Sequence, residues 1–465
     1  MTTLLDSEGG LETALRRLEG KGEYADVLAE ASDGLRVRVE KTLVQPVQSP
    51  SLRGAVFRAW TGERWAETVA RTLDAAELTR AADHLLAELA HAPAHRRPPP
   101  GAAPTGRLEA HTTARRAITD VPIDELLQIA RGWFGRATEV PGISNAFASA
   151  GYLSNDRLFR ASTGARRFQS IQRVIGTVVP LALENGKVEY DAVAEGSTGG
   201  SELFDRFTDE AIREASKVAV ELLGAGEPPR GQRTVVLDPS TSGTFAHESF
   251  GHGTEADQLV RDRSYLRPLL GNELAPEALT LVDDGSFAGA WGSIYFDDEG
   301  TPARRTVLVD KGRFTEVLHD RETAAELGRT PGGNARRADF LSRSFVRMTN
   351  TFVEPGEWGL DEMLDEARDG ILLERCTSGI EDPLGGQMQI KVKRARKIEH
   401  GKLTERYSSM ALSGKVLEFL RTIRAVGRRE QFEMSPGFCG KGHTDILPAG
   451  TGGTYLLGEA VVGPA

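Results

Sequence analysis

Cysteine is scarce in this chain of 465 residues, which contains only Cys376 and Cys439. Two cysteines are too few for a disulfide framework, and the opening MTTLLDSEGGLETALRR lacks the apolar core of a signal peptide. We therefore expect a reducing, cytoplasmic location. No stretch approaches the roughly 18 consecutive apolar residues that a membrane-spanning helix needs, which argues against a membrane protein.

An excess of positive charge is also missing. The 57 Lys+Arg residues are outnumbered by 67 Asp+Glu residues, and the net charge is −10. This balance argues against a broad nucleic-acid-binding surface. The chain has no G-x-S-x-G, P-loop or complete G-x-G-x-x-G motif, so serine hydrolases and nucleotide-binding proteins lack their signatures here.

The chain is long enough for two or three domains. Hydrophobic periodicity predicts a helix over 11–18, a strand over 33–44, a hairpin turning at Thr61-Gly62, an amphipathic helix over 75–90, strands near 166–177 and 178–195, and a helix over 209–223. Glycine and proline then cluster in GAGEPPRGQ, which marks a domain boundary. We expect an N-terminal α/β domain over 1–225 and a β-rich C-terminal domain over 230–465, an α/β (α+β) fold in which the metal motif described next lies on a distorted helix.

The C-terminal region begins with a motif that is typical of a metal site. His247-Glu248-Ser249-Phe250-Gly251-His252 brackets a carboxylate with two imidazoles. Imidazole nitrogens bind zinc, and a nearby glutamate takes a proton from the metal-bound water in zinc hydrolases. Residues five apart lie roughly 140° apart on a regular helix, so the spacing predicts a widened, π-type turn. Gly251 is expected to ease that distortion.

A catalytic zinc ion needs a third protein ligand and an open fourth position. By chemistry the candidates are His319, His400, His443, Cys376, Cys439 and the carboxylates. Cys439 lies in SPGFCGKGH, a glycine-flanked turn beside Lys441, where a thiol with a lowered pKa is expected. Cys376, in LLERCTSGI, is predicted to be a packing residue.

HESFGHGTEAD resembles the H-E-x-x-x-H-G-x-E-x-D signature of the TldD/PmbA family of zinc metalloproteases. The resemblance continues through VDDGSFAGAWGSIYFDDEGTP, GGNARR, VRMTNTFVEPG and GFCGKG, and it includes the N-terminal EYADVLAE and LRVRVEKTLV segments. It therefore covers nearly the whole chain. The chain resembles the TldD branch, because the PmbA (TldE) branch lacks the histidine pair.

The resemblance implies one zinc ion held by His247, His252 and Cys439, with Glu248 as the general base. It also implies a dimer, formed with an identical chain or with a PmbA/TldE-like paralogue, whose enclosed cavity admits unfolded peptide. Two segments depart from the family pattern: LGGQMQ at 384–389 only partly matches a glycine-rich stretch, and the proline-rich segment 91–107 is predicted to be an added surface loop.

Other polar residues are candidates for supporting roles. Glu255 and Asp257 follow the motif closely and are predicted to orient the imidazoles. Asn334, Arg336 and Arg337, in the GGNARR segment, are candidates for contacts with a peptide carboxylate or carbonyl.

Charged clusters elsewhere are predicted to be structural. The acidic residues at 283–284 and 297–299 adjoin glycine turns and are interpreted as hairpin residues. The basic residues within 391–397 alternate with apolar ones and are interpreted as a solvated strand face.

Three functions remain open from the sequence. The first is a zinc-dependent peptidase that acts on peptides or unfolded protein segments. The second is a zinc amidase that acts on a small N-acylated conjugate in a specialised biosynthetic pathway. The third is a non-catalytic assembly subunit whose zinc holds the fold, which would require four protein ligands.

Overall fold

The computed structural model describes residues 4–91, 101, 103–441 and 445–465. The N-terminal helices are α1 (Glu8–Leu18), α2 (Ala75–His91), α3 (Ile123–Thr138) and α4 (Asp209–Glu221). The N-terminal strands are β1 (Tyr24–Val39), β2 (Val44–Trp60), β3 (Trp65–Ala70), β4 (Arg107–His111), β5 (Ile143–Ala161), β6 (Arg166–Glu184), β7 (Lys187–Tyr190) and β8 (Val193–Thr198). They form a single sheet in the order β3-β2-β1-β5-β6-β4, and β7 and β8 also pair with β6.

Short strands dominate the rest of the chain. The helices are α5 (Pro239–Thr244), α6 (Ala256–Leu259), α7 (Arg321–Leu327), α8 (Leu360–Ala367) and α9 (Val416–Thr422). The strands are β9 (Gly231–Leu237), β10 (Leu281–Asp284), β11 (Arg305–Asp310), β12 (Arg313–Phe314), β13 (Ala335–Arg336), β14 (Phe345–Val346), β15 (Asn350–Val353), β16 (Gly370–Glu381), β17 (Gln387–Glu399), β18 (Lys402–Tyr407), β19 (Met410–Lys415), β20 (Ala425–Val426), β21 (Glu433–Lys441), β22 (Asp445–Gly453) and β23 (Leu456–Pro464). The predicted mixed α/β class with a β-rich C-terminal part is confirmed.

The C-terminal strands form two main sheets with a shared core. One sheet has the order β12-β11-β10-β15-β22-β21, and the other has the order β16-β9-β23-β19-β17-β18, with β20 beside β23. Strands β13 and β14 pair with each other. The largest buried cluster draws on both main sheets and includes Phe245, which lies two residues before the histidine motif, and Phe250, which lies within it. Core packing therefore holds the segment that carries the motif.

The two faces of the N-terminal sheet have different partners. On one face, apolar residues of β1, such as Val27 and Val37, pack under the helices. On the other face, Leu28 and Phe159 pack against Phe296 of the C-terminal part. Charged residues on this second face bind the C-terminal part as well; Arg58, for example, contacts Asp26 of its own sheet and Glu299. The sheet is therefore a middle layer between its helices and the C-terminal sheets.

The predicted pair of strands near 166–177 and 178–195 is wrong. The chain runs as one strand, β6, and turns at Asn185-Gly186 into β7. Both turn residues have positive φ, 50° and 81°. Asn-Gly favours this conformation in two-residue hairpin turns, because neither residue is strongly hindered there. The sequence therefore contains a signal for this turn, about eight residues beyond the predicted boundary between the two strands.

The basic run within 391–397 does not form a solvated face, so that interpretation is also wrong. Lys393 is buried, and its Nζ lies 2.6 Å from Glu189 of β7. Arg394 lies 3.1 Å from Asp191, and Arg396 pairs with the neighbouring Glu374. Carboxylates from the N-terminal part and from β16 neutralise these basic side chains, and the alternation of basic and apolar residues does not reveal such partners.

Of the remaining predictions on chain organisation, one is confirmed and two stay predictions. The hairpin at Thr61-Gly62 is present between β2 and β3. Residues 92–100 and 102 of the proline-rich segment lie outside the described residues, so its interpretation as a loop stays a prediction. The division into domains at 225–230 stays a prediction as well. No helix in the described part of the chain combines the length and the apolar character needed to cross a bilayer.

Candidate metal centre

The histidine motif lies on a helical segment that follows β9 directly. Asp238 begins helix α5 by accepting a hydrogen bond from the backbone N–H of Thr241 at 2.8 Å, and Pro239 occupies the first helical turn. Both are strong signals for the start of a helix. The helix then widens into a π-type turn over Phe245–Gly251, which confirms the predicted deformation.

The wide turn brings the two imidazoles together. The backbone N–H of His252 donates to the carbonyl of His247, five residues earlier, which is the hydrogen bond of a π-helix. The ring centroids lie 5.3 Å apart with an interplanar angle of 83°. At this separation, each ring can direct one nitrogen toward a shared ion. A regular α-helix would not allow this for residues five apart, because they point in directions roughly 140° apart.

Gly251 has a different role from the predicted one. Its φ of −56° and ψ of −50° are ordinary right-handed helical values, which any residue adopts. A Cβ atom at this position would lie 2.1 Å from the Sδ atom of Met348. The expectation that glycine eases the backbone distortion is therefore wrong, and the glycine provides space for a core methionine instead.

Cys439 reaches the histidines from the far end of the chain. It lies on β21, where it pairs with Leu447 of β22, and is 3% exposed. Its Sγ atom lies 3.5 Å from Nε2 of His252. Ligand atoms of His247, His252 and Cys439 all lie within 4.8 Å of one another. With zinc–nitrogen bonds of about 2.0–2.1 Å and zinc–sulfur bonds of about 2.3 Å, this donor set and spacing fit one zinc ion.

The electrostatics of the cluster favour a thiolate. Burial opposes ionisation of Cys439, but the positive charges of His247 and His252 hold its pKa well below the ordinary value. Burial likewise opposes protonation of the imidazoles, yet the pKa of His252 is raised well above its usual range by Glu255 and Cys439. A thiolate is the form of cysteine that binds metal.

A buried salt-bridge network supports His252 from behind. An Oε2 atom of Glu255 lies 3.3 Å from Nδ1 of His252 and 3.0 Å from Nζ of Lys441. Burial would raise the pKa of Glu255, but Lys441, His252 and Arg347 lower it to about 2. Asp257 contacts Lys441 at 2.7 Å. Of the two acidic residues predicted to orient imidazoles, Glu255 touches a ring, whereas Asp257 acts on Lys441.

Replacing Glu255 with glutamine is expected to weaken zinc binding by about 10–100-fold, because an amide orients the His252 ring less firmly and adds no negative charge. Competition with a chromophoric chelator measures the affinity. Glu277→Gln is the matched control, since Glu277 is largely exposed and lies far from the motif in the sequence. Equal zinc affinities for the two variants would contradict the orienting role of Glu255.

Glu248 lies at the open side of the cluster. Its Oε2 atom is 3.8 Å from Nε2 of His252, and its side chain is 27% exposed. Gly379 of β16 faces it closely, because a Cβ atom there would lie 2.5 Å from Cγ of Glu248. The carboxylate of Glu248 is therefore accessible to solvent, while the methylene groups of its side chain pack closely against β16.

The structure places Asn334, Arg336 and Arg337 in structural contacts. Asn334 donates to Asp283 and to the carbonyl of Arg347. Arg336 donates to the carbonyls of Met348 and Pro448. Arg337 donates to Glu67 of β3, and its backbone N–H donates to Asp298. All three are buried, and none belongs to the group of ligand atoms at the metal site. Their role in contacting substrate stays a prediction.

The acidic clusters hold loops and strands together. Asp283 accepts hydrogen bonds from Thr349 and Thr351, which ties β10 to β15. Asp297 accepts the backbone N–H groups of Glu299 and Thr301, which is turn chemistry of the predicted kind.

The other candidate ligands that lie in the described part of the chain are not part of the group. His319 is buried beside Thr323 and Glu316, and His400 occupies a turn with a φ of 49°. Cys376 lies on β16, and burial raises its pKa to about 12. His443 lies outside the described residues, so its candidacy stays open.

Several residues near the site were not singled out from the sequence. Arg347 donates to the carbonyl of Cys439. The hydroxyl of Tyr265 donates to the carbonyl of Ser249 within the wide turn. Glu381 lies two residues beyond Gly379; burial raises its pKa to about 9, and its carboxyl oxygens accept no hydrogen bond within the described residues. No local pattern marks these positions, since only the fold brings them to the motif.

Comparisons with known proteins identify the family of this chain. Residues 230–459 match the PmbA/TldA metallopeptidase C-terminal domain. A metalloprotease of Methanothermobacter thermautotrophicus is 31% identical over 97% of this chain and 98% of its own. A metalloprotease of Methanocaldococcus jannaschii is 36% identical over 74% of this chain and 75% of its own. The zinc metalloprotease TldD homolog of Saccharolobus solfataricus is 29% identical over 59% of this chain and 61% of its own.

Two solved structures share the fold over almost the whole chain. A putative modulator of DNA gyrase from Thermotoga maritima superposes with a TM-score of 0.79 at 17% identity, covering 98% of this chain and 99% of that one. TldE from Thermococcus kodakarensis superposes with a TM-score of 0.75 at 16% identity, covering 98% of this chain and all of that one. Together with the full-length archaeal relative, these matches show that the chain belongs to the PmbA/TldD family, in which its relatives are named metalloproteases.

Proposed function

We propose that this protein is a zinc-dependent metallopeptidase that hydrolyses amide bonds of peptides or unfolded protein segments. The observation that carries the proposal is the accessible carboxylate of Glu248 beside a group of three potential metal ligands. This is the composition of a catalytic zinc site, which has three protein ligands and an open position.

His247, His252 and Cys439 would hold the ion. A zinc ion held there would supply Lewis acidity to the scissile carbonyl and to the attacking water. Glu248 accepts a proton from that water and returns it to the leaving nitrogen. Glu255 and Lys441 keep the ring of His252 directed at the sulfur of Cys439.

A purely structural zinc is the less favoured alternative. Structural sites are normally closed by four protein ligands. The ligand group in the described part of the chain has three members. The proposed base is 27% exposed beside them, although a structural site needs no accessible carboxylate.

We favour a peptide over a small amide as the substrate because relatives of this chain are named metalloproteases. A family relationship to TldD and TldE proteins is consistent with a dimer, and we propose either an identical chain or a TldE-like paralogue as the partner.

The decisive experiment compares substrates on the purified, zinc-loaded full chain. We expect hydrolysis of an unfolded polypeptide, such as reduced and alkylated casein, and little hydrolysis of a small N-acylated amino acid. The mass of the chain in solution shows whether the active species contains a single chain type. Turnover of the small amide alone would support the amidase alternative, and no turnover of either substrate would favour the non-catalytic one.

Gly379→Ala is expected to lower the hydrolysis rate by about 100-fold without loss of zinc. A methyl group here would displace the side chain of Glu248, and a shift of about 1 Å in a catalytic group costs on the order of 100-fold. Gly463→Ala is the matched control, because a Cβ atom there meets no atom within 4 Å. Full activity in Gly379→Ala would show that the position of Glu248 does not depend on this contact.

A further inference from the structure

A separate cavity of about 290 Å³ lies between the N-terminal sheet and the hairpin of β21 and β22. Its floor is the sheet face that carries Leu153 and Arg157 of β5 and Ile171 and Arg173 of β6, because residues two apart on a strand share a face. Phe438 and Ile446 of the hairpin line the opposite side. The cavity is large enough for a small organic molecule.

Two arginines in this cavity have neutral hydrogen-bond partners only. Arg173 is 5% exposed and donates to the carbonyls of Trp291 and Ser293. Arg336 is 4% exposed and donates to the carbonyls of Met348 and Pro448. Among the described residues, neither guanidinium has an ion-pair contact with a carboxylate, in contrast to Arg157 in the same cavity.

These two positive charges are costly to hold. Burial and repulsion from Arg336 lower the pKa of Arg173 to about 9. Burial and repulsion from Arg347 lower the pKa of Arg336 to about 10, against the opposing attraction of Asp298 and Asp283. Buried charges in proteins are normally paired. An anion that enters the cavity would provide the missing partner.

The other charges in the cavity limit that anion to a single negative charge. Asp298 and Glu30 both lie near Arg157, which is their common partner, and Asp33 is a third carboxylate in the lining. An Oε2 atom of Glu30 is buried and accepts no hydrogen bond from the described residues. A second negative charge on the ligand would face these carboxylates. A single carboxylate, held by Arg173 and Arg336, avoids that repulsion.

The rest of the lining combines polar side chains, among them Ser154, Asn155 and Gln169, with an apolar part. Leu52, Leu153 and Ile171 lie on or beside the floor, and Phe438 and Ile446 are 54% and 63% exposed at the hairpin. We propose that this cavity binds a monocarboxylate with an apolar body of about the size of a leucine side chain. The carboxylate pairs with the two arginines, and the apolar body packs against the hairpin and the sheet.

This cavity is distinct from the metal centre, although the same strand borders both. Cys439 faces the histidines, whereas its neighbour Phe438 lines the cavity, because adjacent residues on a strand point to opposite faces. The proposal does not depend on the hydrolytic function, and binding can be measured without turnover.

Calorimetric titration of the full chain with 4-methylpentanoate tests the proposal, with the uncharged 4-methylpentanamide as the matched ligand. We expect saturable 1:1 binding of the acid, at least tenfold weaker binding of the amide, and the same affinity in zinc-loaded and chelator-treated protein. Acetyl-Ala-Leu with a free carboxylate distinguishes a peptide C-terminus from a free acid as the source. The proposal would be overturned if neither carboxylate bound, if the amide bound with the same affinity as the acid, or if binding of the acid were lost when the chelator removed zinc.

Two variants locate the ligand. Arg173→Met is expected to weaken binding of the acid at least tenfold, because it removes one of the two proposed partners of the carboxylate. Ile446→Asp is expected to have a similar effect, because it places a negative charge at the cavity without removing a buried contact. Val461→Asp is the control for the second variant, since Val461 is 46% exposed and does not line the cavity. Unchanged affinity in Ile446→Asp would overturn the proposal even if Arg173→Met failed to fold. Self-association of the unmodified chain that blocks binding of the acid, together with recovery of binding in Ile446→Asp, would instead assign this face to a contact between copies of the chain.

Discussion

Glu248→Gln is expected to lower the rate of peptide hydrolysis by about 100–10,000-fold, which is the usual contribution of a general base. Glutamine has the shape of glutamate but cannot accept a proton from the attacking water. The side chain is partly exposed and is not one of the three grouped ligands, so we expect unchanged zinc content and thermal stability. The measurements are kcat on a fluorogenic peptide, metal analysis, and the thermal unfolding midpoint.

Glu418→Gln is the control for this experiment, because the side chain of Glu418 is 69% exposed. Its activity should equal that of the unmodified chain. Hydrolysis by zinc-loaded Glu248→Gln at a comparable rate would remove Glu248 from the mechanism. Loss of zinc from that variant would indicate instead that the carboxylate is a ligand.

Cys439→Ser is expected to weaken zinc binding on the order of 100-fold, whereas Cys376→Ser is expected to leave the zinc affinity unchanged. The free energy of zinc binding in small four-ligand sites is about 10–16 kcal/mol, so one ligand contributes roughly 3 kcal/mol, or on the order of 100-fold in affinity. A serine hydroxyl stays protonated at neutral pH and replaces a thiolate poorly. Cys376 is the matched control, since it is the other cysteine of the chain and is absent from the ligand group.

Metal removal adds an independent readout to this pair. A ligand that binds only the folded state stabilises it, by about 2.7 kcal/mol when its concentration is 100 times its Kd. A chelator should therefore lower the thermal midpoint of the unmodified chain and of Cys376→Ser by more than that of Cys439→Ser. A zinc affinity of Cys439→Ser equal to that of the unmodified chain would exclude the thiolate, and His443 or a carboxylate would become the preferred third ligand.

Local patterns succeeded where the causes are local. The spacing of His247 and His252 predicted a widened turn, because the angle between residues five apart depends only on helix geometry. Hydrophobic periodicity predicts the end of β6 about eight residues too early, whereas the Asn-Gly turn signal gives its position. Cys439 was one of several possible third ligands by chemistry, and the family resemblance selected it among them.

Contacts between distant segments explain the other differences. Gly251 is a glycine because of Met348, almost 100 residues later in the chain. Lys393 is buried because Glu189 from the other sheet neutralises it. In the GGNARR segment, Arg336 and Arg337 bind backbone carbonyls and Glu67, while their contact with substrate stays a prediction. Each of these partners is invisible to a window of neighbouring residues.

The sequence by itself determined the mixed α/β class, the helical motif and its deformation, because hydrophobic periodicity and backbone geometry act over a few residues. Only the tertiary structure decided that Cys439 meets His252, that Glu255 and Lys441 support that ring, and that Arg173 and Arg336 share a cavity. The physical reason is that charge pairing and metal ligation depend on distances in space. Those distances are set by how the sheets pack, and residues far apart in the chain come within a few ångströms of each other.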